Sequence, residues 1–166
     1  MFILFISETE LSRVQGLSAA GANVEVLPYT APADAVLLFY DRPKVVDAVP
    51  LDPFGHPTPA IVTRAAVIEG GFPVKAVRVG TSVAPAVPCT MISENVGRDP
   101  RKSPSVADWE DIAKRSEELA RELSKSTNKF VIAESIPGGT TTALMLLRAL
   151  GYEGSVSSAG PVNPLS

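Results

Sequence analysis

Residues 129–151 read Lys-Phe-Val-Ile-Ala-Glu-Ser-Ile-Pro-Gly-Gly-Thr-Thr-Thr-Ala-Leu-Met-Leu-Leu-Arg-Ala-Leu-Gly, which predicts a strand, a tight turn and a helix. Phe130 to Ala133 is an apolar run without alternation, which is typical of a strand covered on both faces. Pro137, Gly138 and Gly139 supply the fixed and the permissive backbone conformations of a tight turn. The helix after the turn is apolar almost all round, so we expect it to be buried.

The same turn predicts an anion site. A glycine turn that opens a helix directs unpaired backbone N–H groups and the positive helix end at one point, and phosphate is the usual ligand there. One of the Thr residues at 140–142 is expected to cap the helix. The alternative is a plain strand–helix turn that uses Gly for packing. We expect the phosphate contacts to come from Ser135, Gly138, Gly139, Thr140 and Thr141.

Glu134 lies at the end of the predicted strand, beside the predicted phosphate site. A carboxylate at this position would repel a phosphate, so we expect a cationic group to bind here as well. A cationic leaving group, or the oxocarbenium-like centre formed when a glycosidic bond breaks, would fit. The alternative is a structural Glu that caps a neighbouring helix or pairs with an Arg. We predict Glu134 to be the catalytic residue.

Composition favours a cytoplasmic globular protein with one domain. The chain has 166 residues, 45% of them hydrophobic and 20% charged, with a net charge of −3. This acidic balance argues against a nucleic-acid partner. The single Cys rules out an intramolecular disulfide and fits a reducing cytosol. The apolar run at the N-terminus is too short for a membrane span and lacks the basic region of a signal peptide.

Strands and helices are predicted to alternate along the chain. Strands are expected at 2–6, 24–27, 35–40, 74–79, 89–93, 130–133 and 154–158, with a Pro-broken connection at 29–33. Helices are expected from about 9 with Ser7 as cap, at 59–69, from a Ser105 cap to about 124, and after the turn at 138. This alternation predicts an α/β protein with an open three-layer fold: a mostly parallel, Rossmann-like sheet with helices on both faces. Ligands of such folds bind at the carboxyl ends of the strands.

Three side chains outside the turn are further binding candidates. His56 is the only His and lies in Gly-His-Pro-Thr-Pro, where it could contact a ligand or be a turn residue bonded to backbone. Arg98 and Arg101 belong to a cationic loop that could hold a phosphate or carboxylate, or be a solvated surface turn. One His, one Cys and no clustered carboxylates predict no metal site. No Gly-x-Gly-x-x-Gly is present and the P-loop Lys is missing, which argues against a nucleoside triphosphate hydrolase.

Four motifs link most of the chain to a known family. They are Gly-His-Pro-Thr-Pro-Ala-Ile-Val-Thr-Arg-Ala-Ala at 55–66, Gly-Gly-Phe-Pro-Val at 70–74, Asn-Val-Gly-Arg-Asp-Pro-Arg at 95–101, and Ala-Glu-Ser-Ile-Pro-Gly-Gly-Thr-Thr-Thr-Ala at 133–143. Through these motifs the chain resembles the nicotinate-nucleotide–dimethylbenzimidazole phosphoribosyltransferases, most of all their archaeal branch. In the bacterial enzymes the last motif looks like Gly-Glu-Met-Gly-Ile-Gly-Asn-Thr-Thr.

The resemblance implies both a reaction and the residues that perform it. By position, Glu134 matches the Glu of the motif, Gly138 its last Gly, and Thr140 and Thr141 its Thr pair, while Gly139 replaces the Asn. The implied reaction transfers phosphoribosyl from nicotinate mononucleotide to a benzimidazole-type base during synthesis of the lower ligand of cobalamin. It needs no cofactor, and its partners are these small molecules. We also expect a homo-oligomer, with neither nucleic acid nor membrane as partner.

The resemblance also implies that the chain is part of a larger protein. Family members are much longer, and their proposed catalytic base is a second Glu in the part that has no counterpart here. We therefore expect residues 1–166 to form one α/β domain, the N-terminal half of a longer phosphoribosyltransferase-like protein, inactive by itself. The other hypothesis is a non-catalytic α/β module that binds a nucleotide, a phosphate or a corrinoid precursor, or a half that needs a partner chain.

Overall fold

The computed structural model describes residues 1–40, 42, 44 and 48–153. In this part of the chain the strands are β1 (Phe2–Ile6), β2 (Val74–Val79), β3 (Cys89–Ser93) and β4 (Val131–Ser135). The α-helices are α1 (Leu27–Phe39), α2 (Ala60–Gly70), α3 (Trp109–Ser124) and α4 (Gly139–Ala149), and a short 3₁₀ helix covers Glu10–Arg13. No helix within these residues is both long enough and apolar enough to cross a membrane.

The described strands form one parallel sheet in the order β3-β2-β1-β4. Phe2 of β1 is level with Val74 of β2 and with Val131 of β4, and both pairings are parallel. β2 pairs with β3 in the same sense. This topology confirms the prediction of an open three-layer α/β fold. All the carboxyl ends of the strands therefore lie at one edge of the sheet.

The hydrophobic core lies on both faces of β1, because successive side chains of a strand point to opposite faces. On one face the β1 side chains pack against α1 and α2 in a cluster of Phe2, Leu4, Ile6, Ala31, Ala35, Leu38 and Val67. On the other face they pack against α3 in a cluster of Ile3, Val77, Ile92, Leu119 and Leu123. The central strand is thus covered on both sides, as its uniformly apolar sequence predicts.

Helix α1 corrects the prediction of two strands at 24–27 and 35–40. The structure has one helix from Leu27 to Phe39, and nearly all of its residues are buried. Three of those residues are Ala, the best helix former. Pro28 lies in the first turn, which tolerates Pro, whereas Pro32 lies inside the helix. A short apolar run does not distinguish a buried strand from a buried helix, and Pro32 predicts a break that the packed helix does not make.

The helix predicted to follow β1 is also wrong. Only the 3₁₀ helix Glu10–Arg13 forms, and its N-cap is Thr9, whose Oγ1 accepts the Leu11 N–H at 3.3 Å. Ser7 caps none of the described helices, and Glu10 Oε2 accepts the Asp99 N–H at 2.9 Å, which joins this turn to the loop after β3. The helix ends at Arg13, because Val14 is extended with a ψ of 117°, and Gly16 follows in a left-handed conformation at a φ of 82°.

The remaining predicted elements agree with the structure within a few residues. β1, β2 and β3 have the predicted bounds, and α2 begins one residue later than predicted. β4 is shifted toward its carboxyl end, and α3 begins at Trp109 with Asp108 rather than Ser105 as its N-cap. The strand predicted at 154–158 lies outside the described residues.

β4 and α4 differ from the prediction in their burial. β4 is the edge strand of the described sheet, and Ile132 is largely exposed rather than covered. In α4 the apolar side chains of Leu146 and Leu147 are also exposed, as is the C-cap residue Leu150, and Thr141 is the one buried residue of the helix. The prediction of a buried strand followed by a buried helix is therefore wrong for this chain as described, because no described element covers them.

We predict that Gly80 is indispensable to the fold. It follows β2 at a φ of 78°, and a Cβ added there would lie 1.9 Å from the Asn95 carbonyl oxygen. Gly71 is a matched control, because its φ is 60° but a Cβ would meet nothing within 4 Å. Gly71→Ala should lower the free energy of unfolding by ~1–2 kcal/mol, the usual cost of a left-handed residue. Gly80→Ala should lower it by more than ~3 kcal/mol, because the Asn95 backbone must also move. Equal losses in urea unfolding would contradict this reasoning.

Candidate functional site

A cleft of about 350 Å³ lies where the strands end, and we call it the carboxyl-end cleft. It is lined by segments that follow β1, β3 and β4 and by the first turns of α4. The lining residues are Ser7, Glu8, Thr9, Leu11, Gly97, Arg98, Ser105, Val106, Glu134, Ile136, Gly139, Thr142, Ala143 and Leu146. Its volume is within the range of ~300–1,000 Å³ found for small-molecule sites.

Backbone hydrogen bonds hold these segments together beyond the strand ends. The Glu8 N–H donates to the Gly80 carbonyl at 2.7 Å, and the Gly97 N–H donates to the Glu8 carbonyl at 2.9 Å. The Glu10 N–H donates to the Gly97 carbonyl at 2.8 Å, and the Arg98 N–H to the Ser105 carbonyl at 2.8 Å. Because the backbone itself is paired, the side chains of the cleft project from a fixed frame.

Glu8 is a buried carboxylate at the base of the cleft, and the sequence reasoning missed it. Its Oε2 accepts the Ser82 N–H at 2.9 Å and the Ser82 hydroxyl at 2.5 Å, and its Oε1 accepts Arg13 Nη2 at 2.7 Å. Burial acts to raise the pKa of Glu8, but the hydrogen bonds from Ser82 and Arg13 outweigh it and hold the pKa below the ordinary value of 4.5. Glu8 is therefore an ionised, paired group. An acid two residues after an apolar strand is the signal that could have found it.

Glu134 and Arg98 approach the cleft from different segments. Glu134 is on the face of β4 that Ile132 also occupies, and its Oε1 would lie 3.7 Å from a Cβ built on Gly139. Arg98 is on the loop that follows β3. Among the described residues, neither the Glu134 carboxylate nor the Arg98 guanidinium has a hydrogen-bond or ion-pair partner. Both charges are thus available to a ligand.

The turn before α4 has the predicted shape but a different cap. Gly138 is the N-cap at a φ of 79°, and no side chain caps the helix, so the prediction of a Thr cap is wrong. A Cβ on Gly138 would lie 3.1 Å from both Ser12 N and Thr9 Cγ2. Gly138 therefore serves the close contact of this turn with the 3₁₀ helix. Thr140 and Thr141 lie in the first turn of α4, whose backbone N–H groups lack intrahelical acceptors.

Ser135 faces a second, smaller cleft on the α1 side of the sheet. The Ser135 hydroxyl donates to Asp34 Oδ2 at 2.7 Å, and the Thr58 hydroxyl donates to Asp34 Oδ1 at 2.8 Å. This cleft, of about 160 Å³, is lined by all three residues and by Glu134. Burial raises the pKa of Asp34 above its ordinary value of 3.8, since the two hydroxyl hydrogen bonds offset it only in part.

His56 and Arg101 line neither of these clefts. His56 Nδ1 lies 2.8 Å from Asp52 Oδ2 within its own turn, and the ring is mostly exposed. Arg101 binds Asp99 through two nitrogens, Nη2 at 2.6 Å and Nε at 2.9 Å. The Arg101 guanidinium lowers the pKa of Asp99 to about 2. Both side chains therefore have partners, and Arg98 is the member of the predicted pair that reaches the carboxyl-end cleft.

The chemical character of the carboxyl-end cleft follows from its lining. No three His, Cys, Asp or Glu side chains within 1–40, 42, 44 and 48–153 are grouped so that they could hold a metal. The lining of the carboxyl-end cleft is largely apolar, with Leu11, Val106 and Leu146 among its residues. A flat ring that carries charged substituents would suit such a surface.

Fold and cleft together define an α/β protein with a small-molecule-sized site at the carboxyl ends of its strands. No protein-family model matches the chain. The chain is similar to archaeal proteins named UPF0284 protein: it is 52% identical over 165 residues to one from Pyrococcus furiosus, 41% over 166 residues to one from Methanosarcina mazei, and 39% over 166 residues to one from Archaeoglobus fulgidus. Each match covers 99% of this chain but only 48–50% of the relative. The chain thus spans about half the length of the curated relatives it matches, and their names state no activity.

We predict that Asp34→Asn changes how stability depends on pH. Asp34 has a raised pKa in the folded protein, so its ionisation disfavours folding above the unfolded value of 3.8. The stability of the wild type relative to Asp34→Asn should therefore fall as the pH rises above the unfolded value of 3.8 in urea unfolding. Asp99→Asn is a control for which we expect the opposite pH dependence. The folded pKa of Asp99 is about 2, so the wild type should gain stability relative to Asp99→Asn as the pH rises. A pH-independent difference for Asp34→Asn would contradict this account.

Proposed function

We propose that the carboxyl-end cleft binds a nucleotide with a phosphate and a cationic ring, and belongs to a phosphoribosyltransferase-like protein. The proposed reaction transfers phosphoribosyl from nicotinate mononucleotide to a benzimidazole-type base, as the sequence resemblance implies. One observation carries this proposal: Glu134 and Arg98, of opposite charge and unpaired among the described residues, line one largely apolar cleft. The chain contributes this site, and turnover belongs to the longer protein.

Arg98 suits the anionic groups of the proposed ligand. A guanidinium binds a phosphate or carboxylate through parallel hydrogen bonds, which gives geometry as well as attraction. Arg101, three residues along the same loop, is already paired with Asp99. The Gly138–Thr141 turn is a second candidate for the phosphate, through the N–H groups of Thr140 and Thr141 in the first turn of α4. The Gly139 N–H already donates to the Ile136 carbonyl at 2.9 Å. The Glu134 carboxylate lies against this turn at Gly139 and weakens its attraction for an anion.

Glu134 suits the cationic part of the reaction. The bond from ribose C1′ to the pyridinium nitrogen breaks with its electron pair moving to the ring, so positive charge develops at C1′ and the ring becomes neutral. A nitrogen lone pair of the benzimidazole then forms the new bond to C1′, and the base loses its other N–H proton. A fixed carboxylate near C1′ stabilises the developing charge. In the family that the chain resembles, the proposed proton acceptor is a second Glu. It lies in the part of those longer proteins that has no counterpart in this chain.

A non-catalytic binding module is the second candidate function. The observation that favours it is the match of this chain to only about half of each relative. The two functions share the ligand site and differ in turnover. Binding of nicotinate mononucleotide by the chain, with no reaction in a full-length context, would identify the module.

Location and assembly belong to the same proposal. A cytoplasmic protein is consistent with the single Cys of the chain. The expectation of a homo-oligomer is part of the same proposal.

We predict that Arg98→Gln weakens the binding of nicotinate mononucleotide. Loss of a charged hydrogen bond to phosphate should raise Kd by ~10-fold or more in calorimetric titration. Arg121→Gln is the matched control, because it removes the same charge from an exposed position on α3 that lines neither cleft. The nucleoside without its phosphate should bind wild type and Arg98→Gln alike. The assignment fails if Arg98→Gln and Arg121→Gln bind the nucleotide equally well.

We predict that Glu134→Gln affects chemistry and leaves stability unchanged. In a full-length context, such as a chimera in which this chain replaces the matched half of the Pyrococcus furiosus relative, turnover should fall by ~1–3 orders of magnitude. The melting temperature should stay constant, since the carboxylate has no partner among the described residues. Binding of the nucleotide phosphate should be unchanged or stronger, because a repelling charge is removed. A large drop in melting temperature with normal turnover per folded molecule would make Glu134 a structural residue.

A further inference from the structure

The outer side of β4 and α4 is an exposed apolar surface, which we call the β4/α4 face. It comprises Ile132, Leu146, Leu147, Leu150 and Tyr152, whereas Val131 is exposed on the opposite face of β4. Ile132 is 72% exposed and Leu146 is 61% exposed, although the sequence predicts that the strand and the helix to which they belong are buried. Large apolar side chains that are exposed in this number mark places where another polypeptide packs.

The backbone of β4 is open on the same side. The Val131 N–H donates to the Met1 carbonyl at 2.9 Å, and the Ser135 carbonyl accepts the Ser7 N–H at 3.2 Å, so these residues bond toward β1. Because the bonding direction alternates along a parallel strand, the N–H and C=O groups of Ile132 and Glu134 point to the outer edge. No strand of the described residues pairs there. An open apolar edge of this kind is a template for a further strand.

We infer that the β4/α4 face is the contact surface for the polypeptide that forms the other half of the archaeal relatives, and that this polypeptide adds a strand to the outer edge of β4. The match covers 99% of this chain and 50% of the Pyrococcus furiosus relative. The unmatched half of that relative is therefore about as long as this chain, and it must pack within the same protein. The face offers that polypeptide both apolar area and unpaired backbone groups. The apolar residues on α2 offer area without an open strand edge, and so do not suit the addition of a strand.

The test compares hydrogen exchange in the intact 166-residue chain with that in the chimera described above. In the chimera the Ile132 and Glu134 amides should exchange at least ~100-fold more slowly, because a new strand accepts or shields them. Residues 146–150 should also gain protection. The amides of β1, paired on both sides in either protein, provide the internal reference.

Substitutions separate this surface from other exposed apolar positions. Ile132→Asp and Leu146→Asp should each lower the melting temperature of the chimera by ~4 °C or more, and should leave the 166-residue chain unchanged. Val62→Asp and Ile68→Asp on α2 are matched controls, because those side chains are 72% and 62% exposed. The controls should shift neither protein. Circular dichroism of each variant of the short chain shows that it still folds.

Three results would overturn the inference. The first is unchanged exchange at Ile132 and Glu134 in a folded chimera. The second is a homodimer of the 166-residue chain that Ile132→Asp dissociates, which would make a second copy the occupant. The third is slow exchange of the Ile132 and Glu134 amides in the 166-residue chain that becomes fast when residues 154–166 are deleted, which would make that segment the occupant.

Discussion

The rest of the structure depends on the backbone hydrogen bonds that continue beyond the ends of the strands. Glu8 N–H bonds to Gly80, Gly80 N–H bonds to Ser93, and Gly97 N–H bonds back to the Glu8 carbonyl. This network forms only because Gly80 has no Cβ where the Asn95 carbonyl approaches. It extends the order of a small parallel sheet into loops that would otherwise move independently, and it gives the carboxyl-end cleft a base made of paired backbone.

The acids around the strand ends show how environment assigns different roles to one functional group. Glu8 has a guanidinium and two donors from Ser82, so it stays ionised although it is buried. Asp34 is buried with only two hydroxyl donors, so its ionised form is less well stabilised. Glu134 has no such partners among the described residues. Its charge, and that of Arg98, are therefore the ones that the protein leaves to a ligand in the carboxyl-end cleft.

Sequence reasoning succeeded where local pattern and tertiary packing agree. β2 is a short apolar segment between turn residues, and α3 has one apolar stripe at helical spacing. The length of the first segment and the spacing of apolar residues in the second therefore identified a strand and a helix. It failed at α1, because a helix buried all round has no polar face to reveal its period. At the site, local reasoning placed Glu134 at a strand end and Arg98 in a cationic loop, and both line the carboxyl-end cleft of the folded chain. It could not foresee that Ser135 would turn to Asp34, 101 residues away, or that Glu8 would bind Ser82, 74 residues away, since no local pattern encodes such pairs.

The disagreement between sequence and structure at β4 and α4 has a different physical origin. At α1 the sequence pattern was ambiguous, whereas at β4 it is not: residues 130–133 are apolar without alternation, as in a strand covered on both faces. Such a strand at an open edge invites aggregation, and natural proteins avoid it with charges, Pro or bulges. Phe130 to Ala133 contains none of these protections, and Glu134 is the one charge of β4. The composition therefore fits a strand inside a wider sheet, and the exposure of Ile132 reflects a neighbour that the described residues do not supply.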